Sequence, residues 1–242
     1  MFCSTMLIYS LHRIVGIKQT VPPTDQGRFF VIRKYRSHIS LYAGLAFIGC
    51  LISILFTPLY MIYCLLPTSI ISFAYVLPLL KRKRRLRDLN YIKIILIAVT
   101  WAYAACIPLV INELPVSQIV ISFMEKVIFI LLITLPFDIR DMKIDQSANL
   151  KTIPIVLGLK NTYRLCYLFL ILGLILFYLL EQPGLVSPIF VTAGLLIYAI
   201  TFFAIELSKN KHDDIYYSGL VDGTLVARGL VVILATMINN GI

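Results

Sequence analysis

The sequence predicts an all-α protein, a polytopic membrane bundle of about eight transmembrane helices read as one unit over residues 1–242. Three observations lead there. The chain is 60% hydrophobic and only 14% charged, against about 45–50% and about 25% in soluble domains. Residues 39–80 contain no Asp, Glu, Lys, Arg or His. The basic residues collect in alternate connections between the apolar runs. A soluble globular protein is excluded, and no long polar or Pro/Gly-rich linker divides the chain.

The apolar run 39–80 would be about 63 Å long as one helix, twice the ~30 Å hydrocarbon core. It must turn once, and Thr57-Pro58 is the natural place, because proline lacks the amide proton and disfavours helix in the residue before it. This gives helices over 39–56 and 58–80. Further helices are expected over 91–111, 115–137, 163–180, 187–207 and 215–238, with a shorter apolar segment at 2–17. The start MFCSTMLIYSLHRIVG lacks the basic lead-in and cleavage site of a signal peptide and reads as a membrane helix entered directly.

Six Lys and Arg lie between Arg13 and Arg36, seven between Lys81 and Lys93, five between Arg140 and Arg164, and two at Lys209 and Lys211, which is 20 of the 22. The turns at Thr57-Pro58, Asn112–Leu114 and Gln182–Ser187 have none. By the positive-inside rule alternate connections face the cytoplasm and both chain ends face outward. Eight spans with outward ends suggest a further helix upstream of Met1. The net charge of +10 follows from this topology. The KRKRRLR run, Lys81–Arg87, fits a lipid-headgroup or phosphate contact better than a nucleic acid. Cys3, Cys50, Cys64, Cys106 and Cys166 stand singly in apolar runs without metal-ligand spacing and are expected to pack.

Where the helix of 115–137 leaves the membrane, the sequence reads PFDIRDMKIDQSANLKTIPIVLGLK. Asp138, Asp141 and Asp145 fall at i, i+3 and i+7, within about 60° of one another on a helix. Three carboxylates on one face repel unless something positive compensates. Hard oxygen donors with open positions suit Mg²⁺, which arrives partly hydrated and carrying a phosphate. The plainer alternative is a solvated acidic helix end relieved by Arg140, Lys143 and Lys151. Its place at a membrane boundary where flanking charges are mostly basic favours metal and diphosphate. A second edge reads YVLPLLKRKRR, where Lys81 and Arg82 can reach phosphate oxygens; ordinary positive-inside decoration is the alternative.

Together these segments resemble the UbiA family of intramembrane prenyltransferases. The family's second aspartate motif, a DxxDxxxD-like stretch followed by Lys-Thr and an apolar tail ending in Gly, is matched by Asp138, Asp141, Asp145, Lys151, Thr152 and Gly158. Its diphosphate-binding loop is matched by Tyr75, Pro78, Lys81 and Arg82. The resemblance implies a helical barrel with a central cavity open to lipid, Mg²⁺ as cofactor, a polyprenyl diphosphate, and a small aromatic or quinone-precursor acceptor. It also implies metal ligation by Asp138, Asp141 and Asp145, and diphosphate contacts from Tyr75, Lys81, Arg82, Arg140 and Lys151. The acid-bearing rim would face the cytoplasm, in a bacterial-type inner membrane.

The chain departs from the family at the first motif, Asn-x-x-x-Asp-x-x-x-Asp. The corresponding helix reads LIYSLHRIVGIKQT, and no acidic residue precedes Asp25. Arg13 is the candidate to supply a fixed positive charge in place of a metal ion there, and His12 a candidate base. Asp222, about 12 Å along its helix from Asp214, is the best replacement for a missing carboxylate. Glu125, Lys126 and Arg228 lie too deep in their spans to reach water easily and are expected to pair between helices, as Glu125 with Arg228 or Asp222 with Lys126, with acceptor-substrate binding as the alternative role. Besides a transferase, two other classes remain open: a non-catalytic isoprenoid-diphosphate binder, and a small transporter using the intramembrane charges.

Overall fold

A computed structural model describes residues 2–20, 28–79, 85–147, 149–180, 188–210 and 214–240. Regular structure among the described residues is helical, without strands. The chain forms two compact units, Met1–Lys93 and Ile94–Ile242.

The first unit contains α1 (Phe2–Thr20), α2 (Arg28–Lys34), α3 (Arg36–Phe56) and α4 (Leu59–Val76). Small residues let α1 lie close along α3: Ala43 and Ala46 are buried against Leu7, and a methyl group on Gly49 would stand 2.7 Å from the Cys3 sulfur. Close approach through small residues is how membrane helices gain contact where no hydrophobic force drives them together. The turn falls where proline demands it, with Thr57 extended at ψ 128° and Pro58 before α4. The helix expected to reach residue 80 stops at Val76. Leu77 precedes Pro78 and is held extended at ψ 142°. A 3₁₀ turn at Leu86–Asp88 and Tyr91 at φ 61° lead into the next helix.

The second unit holds nearly all of α5 (Ile92–Ile111), then α6 (Val116–Ser147), α7 (Ile153–Leu180) and α8 (Pro188–Ser208). The last helix, α9, runs over Asp214–Asn239 with a π-helical stretch at Tyr217–Val221. α6 packs along α7, and α8 along both α7 and α9. Two helices begin or end about ten residues from where the charges suggested. α6 continues past residue 137 to Ser147, so its 32 residues span about 48 Å, well beyond a ~30 Å hydrocarbon core. α7 starts at Ile153 rather than 163 and breaks at Gly158, whose φ 75° and ψ 165° belong to a region open essentially to glycine alone.

Among the described residues seven helices, α3 to α9, are long and apolar enough to cross a membrane. α1 is formed but is not among them; His12, Arg13, Lys18 and Gln19 dilute its apolar content. The expected break at Gln182–Ser187 lies outside the described residues.

Gly194 on α8 faces Phe177 on α7 so closely that a methyl group would meet the ring at 2.0 Å. Gly194→Ala is therefore expected to cost about 1–3 kcal/mol of stability through overpacking. Gly44→Ala, with nothing within 4 Å, is the control in the same thermal unfolding measurement.

Candidate functional site

The overhanging end of α6 carries the three aspartates on helical backbone. Asp138 and Asp145 are buried, at 2% and 7% exposure. Asp141 is turned to its neighbour: Arg140 Nε donates to Asp141 Oδ1 at 2.9 Å, and its terminal nitrogen to Oδ2 at 3.3 Å. The other guanidinium nitrogen lies 3.1 Å from Asp214 at the start of α9. The same guanidinium covers the rings of Phe137 at 5.1 Å and Tyr217 at 5.2 Å. Arg140 thus ties the end of α6 to the beginning of α9, a role its place in the sequence did not disclose. Asp222 is exposed, with its charge in electrostatic range of Arg140.

After α6 the chain reverses through Asn149 at φ 54°, and the Leu150 amide returns to the Asp145 carbonyl at 2.9 Å. Lys151 is then exposed, while Thr152 is buried with no hydrogen-bond partner for its hydroxyl oxygen among the described residues. The acid edge fits Mg²⁺ in donor chemistry, with hard carboxylate oxygens on one helix face, those of Asp138 and Asp145 on buried side chains. Among the described residues no three His, Cys, Asp or Glu side chains converge as a metal cage, and the hold of Arg140 on Asp141 is a physical reason. For Asp141 to ligate, Arg140 must release it.

Deeper in the same unit a second polar constellation spans three helices. Glu125 on α6 is fully buried. It accepts from Tyr198 on α8 at 2.7 Å and from Arg228 on α9 at 2.7 Å. Arg228 also lies 4.4 Å from the centre of the Phe129 ring. Of the two pairings left open by the sequence, Glu125 with Arg228 forms. Lys126 instead donates to Ser122 one turn back, at 2.6 Å. Tyr198 was not foreseen, although Gly173 carries its signature: a methyl group there would strike the Tyr198 hydroxyl at 2.6 Å. At the end of α8, Glu206 accepts from Tyr167 at 2.6 Å and from Lys209 at 2.5 Å. These bonds raise the Lys209 ammonium above the ordinary lysine range.

In the first unit, Tyr75 at the end of α4 stacks on His12 of α1 at 6.2 Å and lies 5.7 Å beneath Arg87. Arg13 donates to the Tyr9 hydroxyl at 2.6 Å. Lys81 and Arg82 lie outside the described residues.

The family model of the UbiA prenyltransferase family matches residues 34–217. The chain belongs to this family. No curated protein and no solved structure matches it. UbiA membership, with seven apolar helices, makes it an integral multi-pass membrane protein of the prenyltransferase class. The UbiA match encloses Tyr75, Lys81, Arg82, Asp138, Arg140, Asp141, Asp145 and Lys151; His12, Arg13, Asp222 and Arg228 lie outside it.

Proposed function

We propose that this UbiA member transfers a polyprenyl group from its diphosphate to a small aromatic or quinone-precursor acceptor, at a rim facing the cytoplasm of a bacterial-type inner membrane. The observation that carries this reading is the end of α6, where Asp138 and Asp145 are buried within the family match. Asp138, Asp141 and Asp145 are the residues that would hold Mg²⁺, and Asp222 is the reserve carboxylate. When bound, the ion supplies positive charge against the negative charge that builds on the departing diphosphate. Arg140, held at 14% exposure between Asp141 and Asp214, is set to exchange a carboxylate for a phosphate oxygen. Tyr75, Lys81, Arg82, Lys151 and Arg13 are assigned to diphosphate binding as donors or positive charges. The family match, reaching from α2 into α9, supports treating residues 1–242 as one prenyltransferase-like domain.

A second reading, a non-catalytic isoprenoid-diphosphate binder, is favoured by Ser10, His12 and Arg13 standing where family members carry acids. The test is pyrophosphate release by the purified chain in nanodiscs, with Mg²⁺ and a panel of polyprenyl diphosphates and aromatic acceptors. Release that EDTA suppresses is the expected result. Binding without release selects the second reading. Neither binding nor release, where another UbiA protein performs both, would overturn the two together.

A further inference from the structure

The first unit holds two thiols that the proposed transfer reaction does not use. α1 and α3 run antiparallel there, since Leu7 meets Ala43 and Ala46 while Cys3, one turn earlier on α1, meets Gly49. Cys3 lies one turn back along α1 from Leu7, and Cys50 one turn on along α3 from Ala46, so the two cysteines stand level on facing helix stripes. Cys50 packs against the cluster of Leu7, Ala43 and Ala46, and the two thiols lie within electrostatic range of each other. Both are free and half-buried. The small residues that draw these helices together, ending in Gly49 against the Cys3 sulfur, bring the backbones close at this level. A disulfide requires such closeness, with Cα atoms about 4.4–6.8 Å apart.

We propose that Cys3 and Cys50 form a reversible disulfide that locks α1 onto α3. The oxidant is another disulfide. The Cys3 sulfur gives up its proton and attacks one sulfur of that disulfide, whose S–S bond breaks and whose other half leaves as a thiol. The Cys50 sulfur then attacks the Cys3 sulfur of the mixed disulfide, and the second thiol leaves with the Cys50 proton. Two cysteine thiols are oxidised, and one external disulfide is reduced to two thiols. Cys50 stands seven residues before Thr57, about 10 Å along the helix from the Thr57-Pro58 turn. In the proposed orientation that turn faces away from the cytoplasm, toward a compartment where disulfides persist. The compartment rests on that orientation; the pairing rests on the helix register. α1 is not among the helices apolar enough to cross a membrane, and the bond ties it, with His12 and Arg13, to one that is.

The test treats the reduced full chain in nanodiscs with 4,4′-dipyridyl disulfide, a small apolar oxidant, and reads tryptic peptides by mass spectrometry without reductant. Cys3 falls in the peptide of residues 1–13, and Cys50 and Cys64 share that of residues 37–81. The expected result is that these two peptides are joined and separate on reduction. Cys64→Ala should leave the joined species unchanged, whereas Cys50→Ala should lower it at least tenfold and leave a thiopyridyl group on Cys3. A wild-type chain in which Cys3 keeps the thiopyridyl group would overturn the proposal, as would joining through Cys64 or a crosslink to a second copy of the chain. None of these outcomes bears on prenyl transfer, which pyrophosphate release reads separately.

Discussion

Asp141→Ala is expected to lower pyrophosphate release by about 10²- to 10³-fold, the range seen when one electrostatic partner of a developing charge is removed. The fold should survive, because Asp141 is a partly exposed partner and Arg140 keeps its contact with Asp214 on α9. The measurement is a Mg²⁺-dependent release assay beside a binding titration. A transferase loses turnover, a diphosphate binder loses affinity alone, and a transporter built on the deeper charges is nearly indifferent. Wild-type rates in the variant would remove the end of α6 from the chemistry.

Arg228→Met is expected to destabilise the protein by about 3–5 kcal/mol, because it strands a buried carboxylate. Glu125 has no exposure at all and would keep only the Tyr198 hydroxyl. Glu125→Met alone should also be costly, leaving Arg228 against the Phe129 ring without its anion. The double variant Glu125→Met with Arg228→Met should recover most of the loss, since apolar side chains of similar volume often replace a buried pair at little cost. Thermal unfolding in one detergent, run on all four proteins, reads the coupling. Additive losses in the double variant would mean that the two residues do not act as a pair.

Much of this architecture was legible in the sequence, for identifiable reasons. Thr57-Pro58 set a helix boundary because proline's restriction is local and acts whatever packs around it. The i, i+3, i+7 spacing of Asp138, Asp141 and Asp145 showed that they would share one face if helical, but the helix was expected to end at residue 137, and α6 runs on to carry all three. Other features depended on distant partners. The intramembrane charges offered two pairings, Glu125 with Arg228 or Asp222 with Lys126, and only the packing of α6 against α8 and α9 selects the first and adds Tyr198. The clamp of Arg140 on Asp214 joins residues 74 positions apart. The helix start at Ile153 was hidden because Lys160 and Arg164 looked like a connection, whereas α7 carries them past its break at Gly158.

The uneven division of charge bears on how the protein is made. Residues 94–242 hold nine basic side chains, seven of them within 140–164 and 209–211, while residues 1–93 hold thirteen. Loop charge sets which way a nascent membrane protein faces. By that rule the helices that bear the aspartates carry orienting charge of their own, in Arg140, Lys143 and Lys151.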